Sequence, residues 1–295
     1  MKKLIYICGA LALAGCSDRF EPAAQNGKQP DAISFNVYNA KQTNTRAALQ
    51  TVDSLKNGTN PGFKLWGYEV GASIYITNLG GEMVTWRLDP QPGNNYEWEY
   101  GDPTNSATQA AWPSVPANFV AIAGTTQGVT EPAAGASTIS TLQYTVPTIA
   151  TSQEDLLVAA TLNQTKSSNQ GRVDLNFKHA LSAIAVSAKF LGGEGTVAGD
   201  TAVTIKSISL INFNTSGSLD ITTAAAAGVP TWTGQGTPTS GEVTIFNSST
   251  VLKKADNASY TPLVTPVDPY MILPQTTVKG TSVYEATGAQ VSGAT

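Results

Sequence analysis

An all-β protein built of β-sandwiches is what the sequence predicts, and three observations predict it. Charged residues make up 13% of the 295 residues, about half the share usual in soluble domains. Gly, Thr, Ser, Asn and Ala are abundant, and Leu-rich helical stretches are nearly absent. Apolar and polar residues alternate over short runs, the period of a half-buried strand, and the runs recur every eight to fifteen residues or so, a spacing that suits sandwiches and not βαβ units.

The chain opens with Lys2 and Lys3, an apolar run from Leu4 to Ala14, and the hexapeptide Leu11-Ala12-Leu13-Ala14-Gly15-Cys16. This is a lipobox. Residues 1–16 form an export signal whose cleavage leaves Cys16 as a lipidated N-terminus. The run of about eleven residues is too short for a bilayer core of roughly 30 Å, so the anchor is acyl chains, each buried methylene contributing about 0.8 kcal/mol. The two cysteines are Cys8, inside the signal, and Cys16, which leaves the mature chain no disulfide. The 279 residues after Cys16 (295 less 16) exceed one small domain and suggest two of about 120 residues.

From Ser17 to Pro30 the sequence is polar and aperiodic, with Pro22, Gly27 and Pro30, and reads as a flexible tether. Ile33-Ser34-Phe35-Asn36-Val37 then alternates cleanly, placing Ile33, Phe35 and Val37 on one face of a strand. Ala47 to Lys56 carries Leu49, Val52 and Leu55 at spacings that allow a short amphipathic helix ended by Asn57-Gly58. Strands are predicted at Phe63 to Tyr68, Ala72 to Thr77, Met83 to Leu88, Tyr96 to Tyr100, Asn118 to Ala123, Leu142 to Val146 and Leu156 to Thr161. The polar stretch Asn163 to Gly171 breaks the pattern and puts a domain boundary near residue 168, separating domains 47–168 and 169–295. Beyond it, Val173, Leu175 and Phe177 share one parity and Ile184, Val186, Ala188 and Phe190 the other, so a bulge or kink is expected between Phe177 and Ile184. Val203 to Phe213, Ser218 to Ile221, Glu242 to Phe246 and Tyr270 to Leu273 complete the set.

Charge argues against nucleic acid as a partner. Residues 1–46 hold six of the 17 basic and three of the 21 acidic residues, so residues 47–295 carry 11 against 18, with no basic patch. Catalytic motifs are missing as well. The one histidine, His179, has no ligand-type neighbours at metal spacing and reads as structural; neither a metal nor a cofactor is implied. Gly-x-Ser-x-Gly and His-Glu-x-x-His are absent, and Gly193 to Ala198 matches a loose dinucleotide pattern without the following helix that phosphate binding needs. Glu154 and Asp155 are adjacent and so face opposite sides of a strand, unable to flank one glycosidic bond; they read as a solvated start of a strand. The chain is expected to have no enzymatic activity. Tyr96, Trp98 and Tyr100 share a strand face, with Trp66, Trp86 and Trp112 near in sequence; such a row serves either as a glycan-stacking platform or, more commonly, as part of a sandwich core.

Taken together, the lipobox at Cys16, the strand Ile33 to Val37, Thr45-Arg46-Ala47, Phe63-Lys64-Leu65-Trp66-Gly67-Tyr68, Trp112-Pro113, Gln153-Glu154-Asp155-Leu156-Leu157, Phe177-Lys178-His179-Ala180-Leu181-Ser182 and Ile272-Leu273-Pro274-Gln275 make a sequence that resembles the fimbrillin family of Bacteroidales, lipoprotein-derived subunits of type V pili and related surface adhesins. Asp18, Arg19 and Glu21 after Cys16 likewise resemble the surface-export signals of Bacteroidales lipoproteins. The resemblance implies two transthyretin-like β-sandwich domains in tandem, an outer-membrane lipoprotein exposed at the cell surface, and other fimbrial subunits as partners. It further implies cleavage by an arginine-specific protease between Arg46 and Ala47, so that residues 17–46 act as a pro-segment and the strand of Ile33, Phe35 and Val37 departs. A partner's strand then fills the groove. An alternative is a stand-alone surface adhesin that binds a host protein or host or dietary glycans through Tyr96, Trp98 and Tyr100. The sequence stops at Gly293-Ala294-Thr295 without the final aromatic-containing strand expected of a strand donor.

Overall fold

A computed structural model of the protein describes residues 31–39, 51–58, 61–71, 75–88, 95–102, 105–124, 128–130, 141–147, 153–168, 170–190, 202–211, 213–221, 230–237, 241–253, 259–265 and 268–275. The export signal with Cys16, the tether, Arg46 and Ala47, the loop Gly193 to Ala198 and the C-terminal residues lie outside the described residues.

The chain runs β1 (Ser34–Asn39), α1 (Val52–Asn57), β2 (Phe63–Glu69), β3 (Tyr75–Leu88), β4 (Tyr96–Glu99), β5 (Ala117–Gly124), β6 (Val129–Thr130), β7 (Thr141–Thr145), β8 (Leu156–Gln164) and β9 (Arg172–His179). It continues with β10 (Ser182–Ile184), β11 (Val186–Ala188), β12 (Ala202–Ile211), β13 (Ser216–Asp220), β14 (Thr231–Gly236), β15 (Glu242–Lys253), β16 (Thr261–Val264) and β17 (Tyr270–Ile272). The fold is all-β, as the composition and alternation predict. The predicted strands at 72–77 and 83–88 fall in one long β3, bent where Asn78 (φ 66°) and Gly81 (φ 94°) adopt left-handed backbone. A Cβ at Gly81 would come within 3.0 Å of the Trp66 indole nitrogen, so glycine there admits both the turn and the ring. The predicted helix, whose residues 47–50 lie outside the described residues, is seen over the six residues Val52–Asn57, capped by reciprocal bonds between Thr51 and Ser54 and pinned by the fully buried Leu55.

Seven strands form the central sheet, in the order β1-β9-β8-β5-β2-β3-β4. All its neighbours are antiparallel except β1 and β9, which run parallel in register Ser34↔Arg172 through Asn39↔Phe177. One face of the sheet buries Phe63, Leu65, Phe119, Ala121, Leu157, Val173, Leu175 and Phe177 together with Ile33 and Phe35. The opposite parity, Trp66, Tyr68, Val120, Ile122, Leu156 and Val158, packs on the other side against Leu142, Tyr144, Leu219 and Trp232 of a four-stranded sheet ordered β14-β13-β7-β6. Each residue step along β2, β5 and β8 thus serves alternate cores, which is why these strands read as nearly continuous apolar runs.

The expected break near residue 168 is a turn inside this central sheet. Residues 165–168 close it through hydrogen bonds from Thr165 and Ser168, and β9 returns to pair with both β8 and β1. The polar composition of 163–171 marks a solvent-facing connection between neighbouring strands. The chain leaves the sheet after His179, where the parity switch predicts a kink: Ala180 and Leu181 turn into the second core. The strands that follow form three two-stranded pairs, β10 with β17, β11 with β16 and β12 with β15, around a third cluster of Val243, Ile245, Val264 and Tyr270. The strands β6, β14 and β16 escape the sequence reading.

Candidate functional site: the groove of the first strand

The strand of Ile33, Phe35 and Val37 occupies a groove between β9 and the β3–β4 side of the central sheet. Alternation places Ile33 and Phe35 inward, 2% and 3% exposed, while Val37 packs half-buried against the same core. The Phe35 ring meets Tyr100 at 5.8 Å, Phe119 at 6.3 Å and Phe63 at 6.5 Å, all edge-on, an arrangement that adds to simple burial. Around its N-terminal end, Ile33 N donates to Ala110 O at 2.9 Å and Trp112 N to Asp31 O at 3.0 Å. Lys166 pairs with Asp31, and the Trp112 indole donates to Gly171 O at 3.1 Å.

Tyr100 closes the groove. Its hydroxyl donates to Ile33 O at 3.1 Å and accepts from Ala110 N at 3.0 Å. Burial pushes its phenol pKa up, against the opposing Ala110 backbone hydrogen bond. Because Tyr100 follows β4 and Ile33 precedes β1, these contacts bring the two ends of the strand order together, so β1 is covered on its inner face and tied at its start.

β1 pairs within the sheet with β9 alone, and it is the first strand among the described residues. A cut anywhere between Asn39 and Thr51 therefore separates β1 from every other described strand without cutting one. Vacating the groove would uncover two pockets whose apolar burial contributes about 1.5 to 3 kcal/mol each, leave the β9 backbone edge unpaired, and take the Ile33 carbonyl from the Tyr100 hydroxyl, which keeps Ala110.

The aromatic row divides. Trp98 and Tyr100 are 6% and 4% exposed and belong to the first core, so they present no face to a sugar. Tyr96, at the rim, is 58% exposed. It stacks on Trp86 at 6.2 Å with ring planes 19° apart, and Lys56 of α1 lies 4.3 Å over the Trp86 ring.

Asp155 corrects the expectation of a solvated pair: it is fully buried, and its Oδ2 lies 2.5 Å from His179 Nδ1. A strand's alternation sends Glu154 and Asp155 to opposite faces, and it is Asp155 that points in. Next to it, Gln153 donates to Pro147 O at 2.7 Å and accepts from Met271 N at 2.7 Å, while Trp232 donates to Ala180 O at 2.8 Å. The Gln153-Glu154-Asp155 and Lys178-His179-Ala180 motifs are thus two halves of one joint where the second core meets the central sheet. Each is visible in the sequence, but their pairing across 24 residues is not. No group of three or more metal-ligating side chains occurs among the described residues.

A family model described as fimbrillin-like matches residues 45–292 of this chain. Among curated proteins the chain is similar to the fimbrium subunit Fim1C of Phocaeicola vulgatus, with 27% identity over 200 residues, 63% of this chain and 50% of that protein. The chain spans about half the length of that relative. The fold is similar to the crystal structure of a fimbrial protein from Bacteroides vulgatus, at 17% identity and a TM-score of 0.55, covering 82% of this chain and 77% of that one.

Proposed function

The chain belongs to the fimbrillin-like family, and from that premise we propose that it is a structural subunit or accessory adhesin of a type V pilus, assembled with other fimbrial subunits by protease-mediated strand exchange. In this reading the precursor is exported as a surface lipoprotein on Cys16 of the outer membrane. An arginine-specific protease then cuts between Arg46 and Ala47. The segment up to Arg46, with Ile33, Phe35 and Val37, leaves, and a strand from a neighbouring subunit enters by β-augmentation.

The observation that carries the reading is the placement of β1: first among the described strands, at one end of the sheet, held by one strand neighbour and two deep pockets. Such a strand is removable by a single cut, and the surface it leaves favours replacement over exposure. The match to the family model begins at residue 45, beside the Arg46–Ala47 bond. Arg46→Lys retains the charge and denies an arginine-specific protease its side chain. Cells carrying it should accumulate lipidated precursor and shed none of this subunit in fimbriae; normal shedding of the variant subunit would reject the mechanism.

A second reading, a stand-alone surface adhesin holding host or dietary glycans, is favoured by the exposed Tyr96 stacked on Trp86. Glycan-array binding lost in Tyr96→Ala with an unchanged melting temperature would support it, and an array without signal for the native chain would reject it.

A further inference from the structure

On the outer face of the central sheet, above the Phe35 pocket, four polar side chains converge on the middle of β1. Asn36 Nδ2 donates to Asp174 Oδ1 at 2.8 Å, and Asn36 Oδ1 accepts from Arg172 Nη1 at 3.4 Å. Arg172 Nη2 in turn meets Glu97 Oε1 at 3.5 Å. Arg172 and Asp174 belong to β9, which flanks β1, whereas Glu97 belongs to β4 at the far end of the strand order. The Arg172–Glu97 pair therefore spans the groove in which β1 sits. With side chains 28% and 25% exposed, it is shielded enough for a hydrogen-bonding partner beneath it to matter.

The chemistry at position 36 is selective. Arg172 offers only donors, and the Asp174 oxygen facing Asn36 accepts, so a side chain satisfying both must accept with one atom and donate with another. A carboxamide does so without rearrangement. A carboxylate there would meet Arg172 and repel Asp174; an ammonium would do the reverse. An aliphatic side chain would take this partner from both the half-buried Arg172 guanidinium and the solvent-exposed Asp174 carboxylate, the larger loss falling on the guanidinium. The residues on either side, Phe35 and Val37, turn inward, and a one-residue slip would put an apolar group under Arg172 and Asn36 into the aromatic pocket.

We propose that Arg172 and Asp174 read the strand seated in this groove, and that the segment of a second fimbrial subunit which replaces β1 carries a carboxamide directly between an inward aromatic and an inward aliphatic residue. The proposal rests on the strand-exchange reading. The residues before and after the amide supply affinity through the pockets, and the amide fixes register and rejects strands of the same hydrophobic pattern without it. Glu97 is a positioning residue that holds the guanidinium over the groove.

The test uses the full chain with a site-specific protease sequence placed within residues 40–46, so that cutting does not depend on Arg46. After the cut, isotope-labelled peptides spanning residues 31–40 are offered in excess, and retained label is measured by mass spectrometry. The native peptide should be retained at least about fivefold more than its Asn36→Leu counterpart, and Arg172→Leu in the chain should abolish that preference. Equal retention of the two peptides, or a preference that survives Arg172→Leu, overturns the proposal while leaving strand exchange standing. No uptake of any peptide rejects the exchange reading, and the amide rule with it.

Discussion

Phe35 fills a pocket lined by three other aromatic rings, and truncation to alanine should cost about 3 to 5 kcal/mol, read as a fall in the urea midpoint of the uncut chain with unchanged slope. Asp155→Ala should cost about 3 kcal/mol or more, because it leaves the His179 ring, 11% exposed, without its carboxylate in a low-dielectric joint; a shift in melting temperature of a few degrees at most would contradict this. Tyr100 and Tyr144 carry phenols pushed up by burial. An acid whose folded pKa is raised contributes stability that is complete below the unfolded value, about 10 for tyrosine, and is lost as pH rises above it. Stability should therefore fall above about pH 10 with a slope near 1.4 kcal/mol per pH unit for each such group, and Tyr100→Phe should remove one group's share of that slope. At this scale the inward parity of Ile33, Phe35 and Val37 was legible, since alternation alone decides it. The burial of Asp155 was not: two adjacent carboxylates look equally solvated in sequence, and only the partner at His179 makes one of them affordable inside.

Among elements, β1 stands at one end of the sheet with one strand neighbour and precedes every other described element, residues 40–50 linking it along the chain to α1. Cutting that connection turns an intramolecular contact into a bimolecular one. The melting temperature of the cut chain should then fall on dilution, whereas that of the intact chain should not; a concentration-independent transition after cutting would mean that β1 contributes nothing to the cooperative unit. The strand itself was readable from five residues, but its parallel partner was not. Parallel pairing across 138 positions, as at Asn36 and Asp174, leaves no local signal, unlike a hairpin, whose turn residues announce the register. For the same reason residues 163–171, a turn between β8 and β9, mimicked a domain boundary: polar, glycine-containing loops look alike whether they join strands or domains. β14 went unseen because Gly234 and Gly236 interrupt its pattern, leaving Trp232 as the one deeply placed residue of its central stretch.

For the whole molecule, a central sheet with two working faces divides the apolar residues of an all-β chain of low charge density between two cores. The second core, between the central sheet and the β14-β13-β7-β6 sheet, is built without β1, so departure of the first strand opens the first core while the other remains closed. Under the proposed strand exchange, that division would keep one core intact while the other is open to a neighbouring strand. The fimbrillin-like family was legible because its motifs keep their order along the chain; the groove's polar clasp was not, because Glu97, Asn36 and Arg172 are brought together only by the curl of the sheet. The most direct measurement is the N-terminal sequence of this subunit in fimbriae sheared from the cell surface. A start at Ala47 is the predicted result, and an acylated Cys16 as the sole N-terminus in assembled fimbriae would contradict strand exchange by loss of β1.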